Sequence, residues 1–239
     1  MDSVALMSDS NIRIAVSQSN YIPWKGYFDL INMVDEFVIF DTAQYTRRDW
    51  RNRNRIKTRI GSSWLTIPVV VKGRYLQTIQ ETEIEDSSWN VRHWKTLVHN
   101  YSHASHFGTY RDRFEELYLG CQEKLLSRIN YRFLIGICEI LGIRTRFSWS
   151  VECPNIKGQT ERLVEWCKEL KAAEYISGPA AKDYVNESLF VAAGIKLRYM
   201  DYSGYPEYRQ LYPPFDHAVS IIDLIFNEGP DATRYMKSF

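Results

Sequence analysis

The stretch "IRIAVSQSNYIPWKGYFDLINMVDEFVIFD" (residues 12–41) decides the fold. It opens with "IRIAVS", a short run rich in β-branched residues, and closes with "EFVIFD", a second apolar run, and both are typical of buried strands. Between them, Tyr27, Leu30, Ile31 and Val34 recur at helical spacing. A strand, a helix and a strand joined by short loops form a βαβ unit, whose two strands are parallel. The stretch therefore predicts an α/β protein with a mainly parallel sheet.

The rest of the chain extends this pattern around a central helical segment. Residues 88–142 carry helical periodicity and end at Gly142, a residue suited to a helix C-terminus. Further strands are predicted in "SWLTIPVVVK", "RTRFSWSV", "EYISG" and "IKLRYMDY", and further helices in "TERLVEWCKELKA", "SLFVAAG" and "AVSIIDLIFNEG". Thr160 is the candidate N-cap of the first of these helices. We expect a single α/β domain over residues 12–239, built from βαβ units, and a flexible N-terminus over residues 1–11.

Composition excludes several classes of protein. The chain has 239 residues, 45% of them hydrophobic, and 30 basic against 29 acidic side chains. Nucleic-acid-binding domains usually carry a basic excess, so no nucleic-acid partner is expected. The four cysteines form no CxxC pair, which argues against zinc and against a disulfide framework. We find no run long enough to span a membrane and no signal peptide, and we expect a cytoplasmic protein.

A basic stretch follows the second strand. "AQYTRRDWRNRNRIK" (residues 43–57) holds five arginines and one lysine, interleaved with Tyr45 and Trp50. Such a run could be a solvated surface helix. However, it begins where a parallel strand ends, the edge at which α/β proteins bind ligands, and the arginine fork suits phosphate or carboxylate. We therefore predict a ligand site in which Arg53 binds a diphosphate or carboxylate. If the run is extended, Asn52 and Asn54 face opposite to the arginines.

The spacing of the histidines does not favour a metal site. Four of them fall within fourteen residues, and His99 and His103 are four apart, but no carboxylate-bearing partner motif follows. We predict no metal. His93, beside Trp94, could instead act as a base.

Two long segments carry a family resemblance. "IAVSQSNYIPWKGYFDLINMVDEFVIFDTAQYTRRDWRNRNRIK" and "YPEYRQLYPPFDHAVSIIDLIFNEG" resemble the N- and C-terminal signatures of the WbqC-like family, and "ERLVEWCKELKAAEYISGPAAKDY" is similar as well. One position departs from the family pattern: the first loop usually reads Gln-Pro-Asn-Tyr, and Ser19 here replaces the proline. Loss of the proline frees the backbone and adds a hydrogen-bond donor. The family's motif falls on Gln18, Asn20, Pro23, Gly26, Tyr27, Asp41, Trp50, Asn52, Arg53, Asn54, Tyr101, Tyr208, Gln210, Ser220, Asp223 and Asn227.

The resemblance implies a role in O-antigen or other surface polysaccharide synthesis. It points to transfer of an acyl or aminoacyl group from a thioester to the amine of a nucleotide-linked sugar. The donor would be coenzyme A or a phosphopantetheine-bearing acyl or peptidyl carrier protein, and no cofactor of the protein itself is expected. Such aminolysis needs a base and donors for the developing oxyanion, but no metal and no nucleophilic side chain.

These roles are distributed over the matched residues. The predicted catalytic residues are Asp41 as base or amine-positioning group, His93 as the second candidate base, and Asn52 and Asn54 as oxyanion donors. The predicted substrate-binding residues are Gln18, Asn20, Tyr21, Trp24, Tyr27, Tyr45, Trp50, Arg53, Tyr101, Tyr208, Gln210 and Asp223.

Three alternatives remain open. The first strand, turn and helix also resemble a nucleotidylyltransferase, although no histidine of an HxGH-like motif occurs before His93. The aromatic residues would equally suit a non-catalytic protein that binds sugar nucleotides or glycans. A covalent intermediate on Cys153, in the loop "VECPNIKG", is a third route.

Overall fold

The computed structural model describes residues 11–239, so all but the last residue of the predicted flexible N-terminus lies outside it. Five strands form the main sheet: β1 (Ile12–Ser17), β2 (Glu36–Ile39), β5 (Arg146–Trp149), β6 (Ala172–Ser177) and β7 (Lys196–Tyr199). Their order is β5-β2-β1-β6-β7, and every neighbouring pair is parallel. The predicted α/β class with a mainly parallel sheet is confirmed.

The other two strands form a separate hairpin. β3 (Arg53–Thr58) and β4 (Gly61–Thr66) are antiparallel, with Arg55 opposite Trp64. The strand expected in "SWLTIPVVVK" therefore ends before Pro68 and does not belong to the main sheet. Proline has no N–H to contribute to a strand ladder, which fits this end point.

The helices follow the predicted order. They are α1 (Lys25–Asn32), α2 (Trp89–Tyr101), α3 (Phe107–Leu119), α4 (Leu126–Leu141), α5 (Gln159–Glu169), α6 (Glu187–Ala192) and α7 (Ile221–Glu228). Short 3-10 helices occupy Ser150–Glu152, Pro179–Asp183 and Gly229–Tyr235. Gly142 ends α4 with φ of 74°, the left-handed conformation that glycine adopts without strain.

The predicted N-cap of α5 is wrong. Gly158 occupies that position, and Thr160 lies inside the helix. The Thr160 hydroxyl accepts a hydrogen bond from the Asn186 backbone N–H at 3.0 Å, so it connects α5 to the segment before α6. The Thr160 hydroxyl therefore makes a tertiary contact and does not cap the helix.

The main sheet is buried on both faces. Phe37 and Ile39 of β2 pack with the helical segment, α1 and α7, whereas Val38 packs with α5 and α6 on the opposite face. The alternation follows from the strand geometry, in which successive side chains point to opposite faces. The sheet is thus the middle layer between two helical layers.

The C-terminal part of the chain folds back onto the first βαβ unit. Asp29 of α1 is fully buried and accepts hydrogen bonds from the Tyr205 hydroxyl and from the backbone N–H groups of Lys237 and Ser238. The start of α7 is held in a similar way, because the Ile221 N–H donates to the carbonyl of Pro23 at 2.9 Å. The two ends of the described chain therefore meet at the loop that follows β1.

Candidate functional site

The loop after β1 is anchored to the end of β2 through a buried carboxylate. Ser19 donates its backbone N–H and its hydroxyl to the two oxygens of Asp41, at 2.8 and 2.7 Å. The Ser127 hydroxyl donates to the same carboxylate, and the Asn130 amide donates to the Ser19 hydroxyl at 2.9 Å. The loops after the first two strands thus lie together at one edge of the sheet, as the parallel pairing of β1 and β2 requires.

This environment gives Asp41 a positioning role. Its side chain is only 1% exposed, and burial raises the pKa of the carboxyl although the hydrogen bonds from Ser127 and Ser19 oppose the shift. It lines none of the five main pockets found among the described residues. A carboxylate enclosed in this way is suited to fixing the loop, and its role as the base stays a prediction that this burial does not favour.

His93 is equally enclosed. Its Nε2 lies 3.1 Å from the Thr66 carbonyl oxygen, which can only accept, so Nε2 carries the proton. Nδ1 then accepts from the Tyr21 hydroxyl at 2.9 Å, and that hydroxyl also contacts the Tyr118 hydroxyl. Burial lowers the pKa of His93 to about 4. Both ring nitrogens are occupied by the core, which leaves His93 without a free acceptor for chemistry.

Asn52 and Asn54 support the backbone. The Asn52 amide donates to the Ile67 carbonyl, and the Asn54 amide donates to the carbonyls of Tyr21 and Ile22 at 3.1 and 3.0 Å. Ile22 has φ of 39°, a strained value for a β-branched residue, and the bond from Asn54 helps to hold it. Because both Asn54 amide hydrogens are used in these bonds, the oxyanion role predicted for this side chain lacks a free donor.

The predicted alternation of faces is confirmed in this region. Asn52 and Asn54 are 6% and 3% exposed, while the arginines between and beside them are partly exposed. Arg53 stacks on Trp64, with the guanidinium carbon 4.2 Å from the ring centroid, and Trp64 in turn lies 5.3 Å from Trp50. Arg53 is therefore part of an aromatic stack at the surface of the hairpin.

A second arginine organises the first loop. Arg51 Nη1 donates to the Asn20 side-chain oxygen and lies 3.5 Å from the backbone oxygens of Gln18 and Ser19. The Tyr27 hydroxyl also donates to the Gln18 carbonyl, at 2.8 Å. These bonds fix the polar positions of the loop relative to one another.

An apolar cleft opens beside this loop. Its volume is about 280 Å³, and we call it the tryptophan cleft. It is lined by Asn20, Pro23, Trp24, Trp50, Asn54, His217 and Ala218. Four of the residues predicted to bind substrate or catalyse therefore come together here: Asn20, Trp24, Trp50 and Asn54.

His217 is the functional candidate that sequence reasoning missed. Neither ring nitrogen has a hydrogen-bond partner within residues 11–239, and Nδ1 is buried. Burial and the nearby charge of Lys25 lower the pKa of His217, so its imidazole is neutral at neutral pH. In contrast to His93, the protein does not lock this ring in one tautomer. A neutral imidazole at the wall of a cleft is suited to accept a proton from a bound ligand.

Hydrogen bonds from neighbouring segments hold the loop that carries His217. Gln210 and Asp216 form a reciprocal pair, in which the Asp216 N–H donates to Gln210 Oε1 at 2.8 Å and Gln210 Nε2 donates to the Asp216 carbonyl at 2.9 Å. On the other side, Arg55 Nε donates to the Ala218 carbonyl at 3.0 Å. The hairpin and the C-terminal loop together place the imidazole.

Four other predicted substrate-binding residues form a buried cluster behind this loop. Asp223 is fully buried and accepts hydrogen bonds from the hydroxyls of Tyr101 and Tyr208, at 2.8 and 2.7 Å, and from the Gln210 amide at 2.9 Å. Burial raises the pKa of Asp223, opposed by these donors. The four residues are brought together, but none of them lines the tryptophan cleft. They hold the start of α7 and the loop before it.

The remaining residues that the sequence predicted for the site lie outside the tryptophan cleft. Tyr21 and Tyr45 are buried in the core, and Gln18 lines a different pocket. Cys153 is half-buried, and burial raises the pKa of its thiol, which disfavours the thiolate needed for a covalent route.

Within residues 11–239 no group of three His, Cys, Asp or Glu side chains could hold a metal ion. No helix in that range is long and apolar enough to cross a bilayer.

The fold and the cleft define an α/β protein in which residues of the N-terminal loops and of the C-terminal loop jointly line one cleft. The profile of the WbqC-like protein family matches residues 18–235, and the chain belongs to this family. It is 50% identical over 227 residues to the "Uncharacterized protein Rv1507c" of Mycobacterium tuberculosis (strain ATCC 25618 / H37Rv), which covers 94% of this chain and 97% of the relative. No solved structure matches the chain significantly.

Proposed function

We propose that this protein is an acyl- or aminoacyltransferase that forms an amide on the amino group of a nucleotide-linked sugar, within O-antigen or other surface polysaccharide synthesis. The acyl donor is a thioester on coenzyme A or on an acyl or peptidyl carrier protein. The observation that carries the proposal is the tryptophan cleft, in which an unpartnered neutral His217 faces the same space as two tryptophans.

The cleft offers what a sugar amine requires. The rings of Trp24 and Trp50 provide flat apolar surfaces for the C–H face of a pyranose ring, and Asn20 provides polar atoms for its hydroxyls. The small volume, about 280 Å³, suits a single sugar ring. Because Trp50 is 41% exposed, a second substrate can approach the cleft from its side.

In this mechanism His217 acts as the general base, the role that the sequence predicted for Asp41. The amine nitrogen attacks the thioester carbonyl carbon, His217 accepts the amine proton, and the tetrahedral intermediate collapses with cleavage of the C–S bond. The imidazolium then returns the proton to the departing thiolate, so that the products are the amide and the free thiol. A positioned base of this kind typically contributes a factor on the order of 10² to 10⁴.

The test is amide formation followed by mass spectrometry. The protein is incubated with a panel of amino-sugar nucleotides and with coenzyme A and carrier-protein thioesters. We expect His217→Ala to lower the rate by about 10² or more. His99→Ala is the matched control, since His99 is exposed on α2, outside the cleft, and should leave the rate unchanged.

Other outcomes distinguish the alternatives. Tight binding of sugar nucleotides without any amide product would support a binding protein, and release of pyrophosphate would support a nucleotidylyltransferase. Equal rates in the wild type and His217→Ala would remove His217 from the mechanism.

A further inference from the structure

A second pocket lies at the point where the connections of the main sheet change direction. From β1 the chain crosses to β2 on one side, whereas β6 pairs with β1 on the other side. The loops that leave β1 and β6 therefore diverge, and in open α/β sheets such a switch point leaves a crevice outside the carboxyl ends of the strands. A pocket of about 290 Å³ occupies this place, with Ser17 and Gln18 at the end of β1 forming part of its wall. We call it the switch-point crevice.

The crevice holds an arginine without an acidic partner. Arg162 of α5 lies over the ring of Phe40, with its guanidinium carbon 5.2 Å from the centroid. It makes no hydrogen bond or ion pair with any side chain in residues 11–239, and no aspartate or glutamate lines the pocket. The arginines of the main sheet, by contrast, are paired with acidic side chains, such as Arg13 with Asp35 at 3.0 Å. Arg162 is thus a positioned cation whose fork remains available for an anion.

Three more polar side chains of the crevice are free of internal hydrogen bonds. The side-chain amides of Gln18 and Gln159 and the hydroxyl of Tyr184 have no partner within the described part of the chain. Tyr184 is 56% exposed at the pocket, which leaves its ring face accessible. By contrast, the Ser19 and Asn20 side chains on the same loop are both engaged. The unused groups face one pocket and combine a cation, two amides and an aromatic ring.

We propose that the switch-point crevice binds a nucleoside diphosphate, with Arg162 on the phosphates and Tyr184 stacked on the base. The guanidinium fork matches phosphate oxygens, and an exposed aromatic ring stacks on any base. Gln18 and Gln159 supply donors and acceptors for ribose hydroxyls or base edges.

The position of the crevice connects it to the tryptophan cleft. Gln18 lines the crevice and Asn20 lines the cleft, and only one residue separates them. Two residues of chain span at most roughly 7 Å, so the crevice and the cleft lie on neighbouring parts of one loop. A nucleotide in the crevice would therefore direct its sugar across the loop toward His217. In this respect the inference rests on the proposed function, but nucleotide binding is measured without turnover.

The experiment is isothermal titration calorimetry with UDP, dTDP and ADP, and with uridine as a probe that lacks phosphate. We expect at least one diphosphate to bind the wild type, and Arg162→Gln to weaken that binding about 10- to 100-fold, the scale of hydrogen bonds to a charged group. Arg128→Gln is the matched control, since Arg128 also stacks on an aromatic ring, Trp149, at 4.4 Å but lies outside the crevice. It should bind as the wild type does.

Further variants separate the two proposals. Tyr184→Phe should retain affinity and Tyr184→Ala should lose it, while His217→Ala should bind the diphosphate normally but fail in amide formation. Uridine should bind weakly and equally to the wild type and Arg162→Gln. No binding of any of the three diphosphates, or equal affinities for the wild type and Arg162→Gln, would overturn the inference. Nucleotide binding without amide formation would instead overturn the proposed function alone.

Discussion

Ser19 donates both its backbone N–H and its hydroxyl to Asp41, one to each carboxylate oxygen. A proline at this position could make neither bond, because it has no N–H and no hydroxyl. In this chain, polar contacts therefore supply the rigidity that a proline ring would otherwise give to the loop.

This pairing predicts a measurable stability loss in Ser19→Ala. The variant removes one donor to Asp41 and the acceptor of the Asn130 amide, which would leave buried polar groups unsatisfied. We expect the free energy of unfolding in urea to fall by about 1 to 3 kcal/mol. Ser87→Ala, at an exposed position before α2, is the control and should change stability by less than about 0.5 kcal/mol.

The buried His93 predicts a specific loss of stability in acid. Its pKa is about 4 in the folded protein and about 6.5 when unfolded, so below pH 6.5 the unfolded chain gains a proton that the folded protein does not. Stability should therefore decrease as the pH falls from 6.5 toward 4, by up to about 3 kcal/mol from this residue. Urea titrations across this range should show the slope, and His93→Gln should lack this part of it. If His99→Gln removed the slope equally, the assignment to His93 would be wrong.

Trp50 and Arg53 should differ in their effects on ligand binding. Trp50 lines the tryptophan cleft, whereas Arg53 stacks on Trp64 outside its lining. Trp50→Ala should weaken the binding of an amino-sugar nucleotide by roughly 1 to 3 kcal/mol, the scale of aromatic stacking on a ligand ring. Arg53→Lys should weaken it by less and should lower stability by about 0.5 to 1 kcal/mol through loss of the cation–π contact. Calorimetry and urea unfolding of both variants provide the comparison; a larger affinity loss in Arg53→Lys would restore the diphosphate role predicted for Arg53.

Cys153 should be dispensable for turnover. The thiol is half-buried and its pKa is raised by burial, so little thiolate forms at neutral pH. We expect Cys153→Ala to form amide at the wild-type rate, with no acyl adduct on the intact protein by mass spectrometry. An adduct at this residue, or loss of the reaction, would favour the covalent route.

Local pattern was sufficient for most of the fold and for part of the site. The βαβ unit of residues 12–41 follows from apolar spacing, and Asn20, Trp24 and Trp50 follow from the loops at its strand ends. His217 could not be found in this way, because it lies in an irregular loop placed by Gln210 and by the hairpin, far away in the sequence.

The burial of Asp41, which the sequence did not predict, has a related cause. Asp41 occupies the strand end at which catalytic groups often occur, and only the three-dimensional structure brings Ser127 onto it and encloses it. Arg162 lies in an ordinary amphipathic helix, where nothing in the sequence distinguishes a solvated arginine from one that stacks on Phe40 at a switch point. Whether a polar side chain is buried or accessible depends here on residues that are distant in the sequence. Local periodicity does not show this.

The enclosure of Asp29 has a consequence for the newly made chain. This carboxylate belongs to the first helix, yet its partners include Tyr205 and the N–H groups of residues 237 and 238. On the ribosome, α1 is complete roughly two hundred residues before those partners emerge, and an unpaired carboxylate cannot be buried cheaply in the meantime. The first helix can therefore be buried in its final place only after these partners have been made, and the part of the cleft wall that carries His217 forms at a similarly late stage.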